Sequence, residues 1–175
     1  IGCVTVSTNE QVNLIVARAT KADFKVGRVF IACRRDSLNV TPAIVRGAQA
    51  EVLFGRPRDL DLWAVRARRE TVRLENWRLD GEPAPAEGAS PLKEILDAAH
   101  NLLLPLTVTR GTRLSPVSDK SPFRQGDVVC FAAFVDQYET ARSVLVERGW
   151  VLVEPEPEPE TETADAELAD TPPPA

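Results

Sequence analysis

Polar side chains follow two apolar runs near the start of the chain, at positions suited to holding a ligand. The run IGCVTV is followed by Thr8 and Asn9, and the run RVFIAC is followed by Arg34. If both runs are parallel strands of one sheet, their carboxyl ends line the edge where open α/β sheets bind ligands. We therefore predict that Thr8 and Asn9 contact the sugar or base of a nucleotide. Arg34 is predicted to lie near the phosphates, since guanidinium groups bind phosphate well; ordinary solvated loop charge is the alternative interpretation.

No set of residues has the spacing of a known catalytic or metal site. The motifs GxSxG, HExxH, GxGxxG and the phosphate-binding GxxxxGK(S/T) loop are all absent. The only histidine, His100, has no nucleophile or carboxylate motif beside it and is interpreted as structural. Cys3, Cys33 and Cys130 are scattered in apolar runs, which predicts neither disulfides nor a zinc site and fits a reducing cytoplasm. We predict a protein that is not an enzyme and that has no metal site.

Composition limits the class of protein further. The chain has 175 residues, begins with Ile and contains no Met, so we expect it to be a segment of a longer protein. No apolar run approaches the roughly 20 residues that span a bilayer. Residues 154–175 contain eight acidic residues, no basic residue and repeated prolines, which predicts a disordered acidic tail. The rest of the chain carries a small basic excess without a Lys/Arg stripe, so nucleic acid is not an expected partner.

The pattern of residues 1–69 predicts a doubly wound α/β unit with a parallel sheet. Three apolar runs have the character of strands, and helical patterns separate them. Ser7 and Glu10 have the spacing of a capping box at the start of the first helix. Thr41 precedes a proline at the start of the second helix, and Asp59 caps a third. The inward face of the first helix is expected to contain Val12, Ile15, Val16 and Ala19.

The pattern of residues 70–153 predicts a second, smaller unit of mixed strands and helices. It begins with an alternating strand that we expect to carry a bulge near Glu75–Asn76, where the apolar phase changes. A helix, a hairpin and a wholly apolar strand follow. Asp136 and Glu139 have the spacing of a second capping box, which would begin the last helix. The body is therefore expected to contain two compact units joined near residue 70.

Two stretches of the sequence resemble a known family. The segment VTVSTNEQVNLIVARATKADFKVGRVFIACRR resembles the back half of the N-terminal RCK domain (TrkA-N), with Thr8, Glu10, Val12 and Asn13 matching its pattern. The segment from Thr71 to Trp150 resembles the small TrkA-C domain, with its PL helix start, VTRG hairpin and GDVV strand. With its segments LFGRPRDLDLW and ERGW, this chain looks most like the cytoplasmic C-terminal region of monovalent cation/proton antiporters.

This resemblance implies a fold and a function. The fold would be a partial Rossmann-like, doubly wound parallel sheet over residues 1–69, a small α+β TrkA-C-like domain over residues 70–153, and the acidic tail. The protein would be a cytoplasmic regulatory domain of a potassium or sodium/proton antiporter, sensing a nucleotide and gating transport through dimerisation. Its partners would be a second copy and a membrane transporter domain, upstream in the same chain or a separate subunit, at the cytoplasmic face of the inner membrane. The full-length parent would bind an adenine nucleotide or NAD(H) through Thr8, Asn9, Asn13 and Arg34.

Three alternatives stay open beside this interpretation. The first is a free-standing TrkA-type potassium-uptake regulator subunit, and the second is the cofactor half of a nucleotide-dependent oxidoreductase. The third is a plain dimerisation module that binds no ligand. The sequence also departs from the family pattern. It lacks the Gly-rich phosphate loop and the acidic residue that would hold the ribose. It has Cys33, Arg34 and Arg35 where calcium-gated relatives place carboxylates, so calcium sensing is not expected.

Overall fold

The computed structural model describes residues 2–81, 91–99 and 101–154. Three predicted features lie outside the described residues: the structural histidine His100, a helix cap at Ser90, and the acidic tail beyond residue 154. Across the described ranges, no helix is both long and apolar enough to cross a membrane. The helices are α1 Glu10–Ala22, α2 Pro42–Gly47, α3 Leu60–Arg68, α4 Pro91–Ala98 and α5 Tyr138–Val146. The strands are β1 Gly2–Thr5, β2 Arg28–Ile31, β3 Glu51–Val52, β4 Val72–Leu79, β5 Leu103–Arg110, β6 Arg113–Pro116, β7 Val128–Phe134 and β8 Trp150–Val153.

The first sheet is parallel and has the order β1-β2-β3. Buried side chains along β2 alternate between two clusters. Val29 and Ile31 pack with residues of α1 and α2, whereas Phe30 packs with Leu60 of α3 on the other face. Because helices cover both faces of a parallel sheet, the predicted α/β fold class is confirmed for this part of the chain.

The start of α1 differs from the prediction. Asn9, not Ser7, is the N-cap, and its side-chain oxygen accepts hydrogen bonds from two backbone N–H groups of the first turn. The predicted capping box of Ser7 and Glu10 is wrong because the helix begins at Glu10 itself. The Glu10 carboxylate instead accepts a hydrogen bond from the backbone N–H of Arg34, at 2.6 Å.

The apolar face predicted for α1 does not point into the core. The buried residues of this helix are Asn13 and Ala17, and the small side chain of Ala17 lets the helix pack closely on the sheet. β1 is also less covered than predicted: it is an edge strand, and Val4 is exposed. The exposed apolar residues of the helix are Val12, Ile15 and Val16.

The second sheet is antiparallel and has the order β6-β5-β7-β4-β8. Its buried face forms the largest core cluster of the described residues, in which Trp77, Phe131 and Trp150 pack with α4 and α5. The ring of Trp150 makes an edge-to-face contact with Phe131 at a centroid distance of 5.6 Å. The chain thus has a parallel sheet followed by an antiparallel one. This confirms the predicted fold class, a Rossmann-like parallel sheet followed by a small α+β part.

The bulge predicted in β4 is wrong. The pairing of β4 with β7 runs without interruption from Val72 to Arg78, and the irregularity lies in β5, between Pro105 and Thr107. The change of apolar phase has another cause. Leu74 points outward and is 63% exposed, whereas Glu75 is buried at a core position.

Three donors satisfy the buried carboxylate of Glu75. It accepts hydrogen bonds from the indole N–H of Trp77 (3.1 Å) and the hydroxyl of Tyr138 (2.6 Å), and it pairs with Arg73 (3.1 Å). The hydrogen bond to Glu75 is also the main cause of a raised pKa for Tyr138. A buried carboxylate is tolerated at this position because all three partners compensate for its lost hydration.

The predicted cap of α5 is also wrong. A short 3₁₀ turn, Val135–Gln137, precedes the helix, and neither Asp136 nor Gln137 caps it through a side chain. The helix then begins at Tyr138, so Glu139 lies in its first turn instead of at the capping-box position. The hydroxyl of Tyr138, the first residue of α5, donates to the Glu75 carboxylate and so ties the start of this helix to β4.

Backbone hydrogen bonds join the two sheets along the end of β3. Phe54 N donates to Val117 O at 2.8 Å, and Asp119 N donates to Val52 O at 2.9 Å. Next to them, the backbone at Phe54 and Gly55 has φ values of 63° and 77°, which turns the chain toward α4. We call this contact between residues 51–55 and 117–119 the junction. The predicted division of the chain near residue 70 stays a prediction.

Candidate functional site

A cleft lies where β1 and β2 end, at the edge predicted to bind a ligand. We call it the sheet-edge cleft; it is wide open to solvent and has a volume of about 490 Å³. The structure brings Thr8, Asn9 and Arg34 together in its lining. The described residues of the lining are Thr8, Asn9, Glu10, Gln11, Arg34, Asp36, Ser37, Leu38, Asn39 and Val40.

Two contacts hold the loops of this cleft in place. The hydrogen bond from Arg34 N to the Glu10 carboxylate ties the loop after β2 to the start of α1. Behind the cleft, Asn13 is 3% exposed, donates from its amide to Ser7 O (3.2 Å) and accepts from the Ser7 hydroxyl (2.8 Å). Asn13 therefore supports the loop from inside the fold and is not among the lining residues. Its predicted contact with a ligand stays a prediction.

Two carboxylates already accompany the charge of Arg34. Its guanidinium group lies 2.8 Å from Asp61 and 3.4 Å from Asp36. The hydrogen bond to Asp36 and the charge of Asp61 raise the pKa of Arg34. A phosphate at this position would have to compete with these carboxylates, whereas Asp36 offers acceptor oxygens that suit sugar hydroxyl groups. The geometry thus favours the sugar end of a ligand more than its phosphates.

Sequence reasoning missed a second cleft, which lies beside the junction. We call it the junction cleft; it has a volume of about 360 Å³ and contains Arg35, Arg56 and Arg58. A signal was available in the segment GRPRD, which follows β3 and so reaches the same sheet edge as the loops after β1 and β2. The remaining described residues of its lining are Pro57, Asp97 and Asn101.

Candidate nucleophiles and metal ligands among the described residues include the buried thiol of Cys33. Burial raises the pKa of Cys33 to about 12, so its thiol stays protonated and is a poor nucleophile. Cys3, Cys33 and Cys130 are free thiols. Within residues 2–81, 91–99 and 101–154, no group of three or more His, Cys, Asp or Glu side chains is arranged to hold a metal ion.

The chain matches no protein-family model and has no significant match among curated proteins. Among solved structures it is similar to the crystal structure of the GsuK RCK domain, with 10% identity over 84% of this chain and a TM-score of 0.31. It is also similar to the GsuK channel bound to NAD, with 9% identity over 83% of this chain and a TM-score of 0.35. The chain spans 33% and 27% of those two chains.

The RCK resemblance of this chain rests on its sequence motifs, because both structural matches are weak. Their TM-scores lie below 0.5, so the ligand and partners of this chain are argued below from its own residues. The structure itself shows the mixed architecture, a parallel sheet followed by an antiparallel one.

Proposed function

We propose that this chain is a non-enzymatic, nucleotide-sensing regulatory domain of a monovalent cation/proton antiporter. One observation carries the proposal: two loops that follow neighbouring parallel strands meet in the sheet-edge cleft and are tied together by the Glu10–Arg34 hydrogen bond. The same two loops carry the sequence resemblance to the RCK domain. The proposed ligand is an adenine nucleotide or NAD(H), and the proposed partners are a transporter domain and a second copy of the chain at the cytoplasmic face of the membrane.

The chemistry of the cleft supports sensing more than catalysis. Thr8 and Asp36 offer hydroxyl and carboxylate groups, which bind ribose hydroxyls by neutral or charge-assisted hydrogen bonds. Arg34 is paired with Asp61. Its guanidinium group keeps its proton, so Arg34 is not suited to general acid or base catalysis. Binding and release of a ligand are therefore the reactions that these side chains support.

A titration followed by nitrogen–proton correlation spectra tests the proposed binding site. AMP and NADH are added in large excess to the isotope-labelled chain, because binding without the Gly-rich phosphate loop should be weak, and we expect shifts at Thr8, Asn9 and the loop after β2. Thr8→Ala should weaken AMP binding roughly 3- to 10-fold, as expected for the loss of one hydrogen bond. Thr112→Ala is the matched control, because Thr112 is an exposed turn residue of the hairpin far along the chain.

The outcome that contradicts the proposal is equally specific. If AMP and NADH cause no shifts in the sheet-edge cleft, or if Thr8→Ala and Thr112→Ala bind AMP equally well, the cleft is ordinary surface. The proposed dimer has its own test in light scattering, where a mass near 19.2 kDa, that of one chain, would argue against it.

A further inference from the structure

The junction cleft brings three arginines to one place by backbone pairing. Arg35 N donates to Arg58 O at 2.9 Å, and Arg58 N donates to Cys33 O at 2.9 Å. The segment after β3 therefore runs beside the end of β2, with Arg34 and Arg58 paired as in a parallel sheet. Because the backbone fixes these neighbours, the closeness of Arg35 and Arg58 does not depend on flexible side chains.

Like charges crowd the deepest of the three side chains. Arg58 is only 2% exposed, although arginine is almost never fully buried. Burial and the charges of Arg56 and Arg35 lower its pKa, and the charge of Asp97 only partly opposes them. The local electrostatics thus disfavour the positive charge that Arg58 carries, and a negative group placed in the cleft would relieve the repulsion.

The opposite wall of the cleft comes from α4 and the residues that follow it. Arg56 pairs with the carboxylate of Asp97 and also donates to the backbone carbonyl of Leu96. Among the described residues of the lining there are three guanidinium groups and one carboxylate, Asp97, which Arg56 already engages. These described residues together carry a net positive charge, which repels metal cations and attracts anions.

We propose that the junction cleft is a binding site for a phosphate group, held by Arg35, Arg56 and Arg58. Phosphate presents several acceptor oxygens, and guanidinium groups bind it in a bidentate manner. The site is separate from the sheet-edge cleft, so this proposal does not depend on the proposed function. Arg35 and Arg58 follow the parallel sheet while Arg56 is tied to α4, so the bound phosphate would stiffen the contact between the two sheets.

Thermal unfolding of the whole chain with increasing inorganic phosphate tests this site. Sodium chloride at the same ionic strength is the reference, because general screening affects both salts alike. We expect phosphate to raise the midpoint in a saturable manner, since a ligand of the native state stabilises it. Arg35→Ala should weaken phosphate binding at least tenfold, about 1.4 kcal/mol. This variant is expected to fold because Arg35 is exposed.

Arg113→Ala is the matched control, because Arg113 is an exposed arginine on β6. It should keep the full response to phosphate, and Arg35→Lys should keep part of it because the positive charge remains. AMP and adenosine separate a free phosphate from a nucleotide phosphate: if AMP binds here, its stabilising effect must be weaker in Arg35→Ala and absent with adenosine, whether or not AMP also shifts Thr8 signals. If phosphate stabilises no more than chloride does, or if Arg35→Ala and Arg113→Ala respond alike, the proposed site is wrong.

Discussion

The approach of Gly55 to α4 makes the substitution Gly55→Ala a direct test of the junction. Gly55 has φ of +77°, and a Cβ atom there would lie 2.6 Å from Leu92 Cδ2 and 3.3 Å from Leu96 Cδ1. The left-handed backbone alone costs an alanine about 1–2 kcal/mol. Forcing a methyl group against two well-packed leucines adds about 1–3 kcal/mol. Since both leucines are buried and cannot swing into solvent, we expect Gly55→Ala to lower the free energy of unfolding by about 2–5 kcal/mol in total.

A second glycine separates the two contributions. Gly111 has φ of +57°, but nothing lies within 4 Å of the position of its added Cβ. Gly111→Ala therefore carries the backbone cost without the steric one and should lose only about 1–2 kcal/mol. Urea unfolding followed by tryptophan fluorescence measures both variants, because Trp63 is buried close to the junction and reports its loosening.

The steric part of the effect has its own check in a double-mutant cycle. In a Leu92→Ala background the nearest clashing atom, Cδ2, is gone and only the 3.3 Å approach to Leu96 Cδ1 is left, so Gly55→Ala should cost clearly less than it does in the parent chain. If Gly55→Ala is no more destabilising than Gly111→Ala in the otherwise unchanged chain, the packing of α4 against the turn after β3 is not as described, and the reasoning fails.

Two further predictions concern buried polar groups. Asn13→Ala should lower the free energy of unfolding by about 1–3 kcal/mol, because it removes two hydrogen bonds with Ser7 that a buried side chain makes; equal stability of variant and parent in urea would contradict this. Burial raises the pKa of Asp127, but hydrogen bonds from Arg110 (2.6 and 2.7 Å) and Arg124 N (2.9 Å) outweigh it and hold that pKa below its ordinary value. The native state thus binds fewer protons than the unfolded one, so stability should fall as pH drops below about 4, the unfolded pKa of an aspartate. Asp127→Asn should flatten that part of the stability–pH curve, and an unchanged slope would show that other carboxylates carry it.

Local signals in the sequence predicted the elements well. Thr41 accepts from Ile44 N and precedes the proline that opens α2, and Asp59 accepts from Leu62 N at the start of α3. Gly111 turns the hairpin between β5 and β6 with a positive φ. Such features depend on a few adjacent residues, so their physical cause is visible in the sequence alone.

Features set by distant residues were predicted less well. The inward face of α1 depends on the fit of Ala17 against the sheet, which the apolar spacing of the helix does not contain. The sheet-edge cleft followed from the rule for parallel strands, and Thr8, Asn9 and Arg34 do meet there. The carboxylates that accompany Arg34 come partly from α3, and the junction cleft needs α4 beside the end of β3. Both depend on tertiary packing between elements that lie far apart along the chain.

The buried carboxylate of Glu75 has a consequence for how β4 finds its alignment. Side chains of a strand alternate between faces, so a slip of one residue would exchange the inward and outward sets of β4. The slipped alignment would bring the apolar Leu74 inward, but it would expose Trp77 and withdraw the acceptor from the hydroxyl of Tyr138. β4 is paired on both sides, with β7 and β8, so the slip would also break two ladders at once. The hydrogen bonds of the buried Glu75 therefore favour the observed alignment of β4 over the slipped alignment that would place Leu74 in the core.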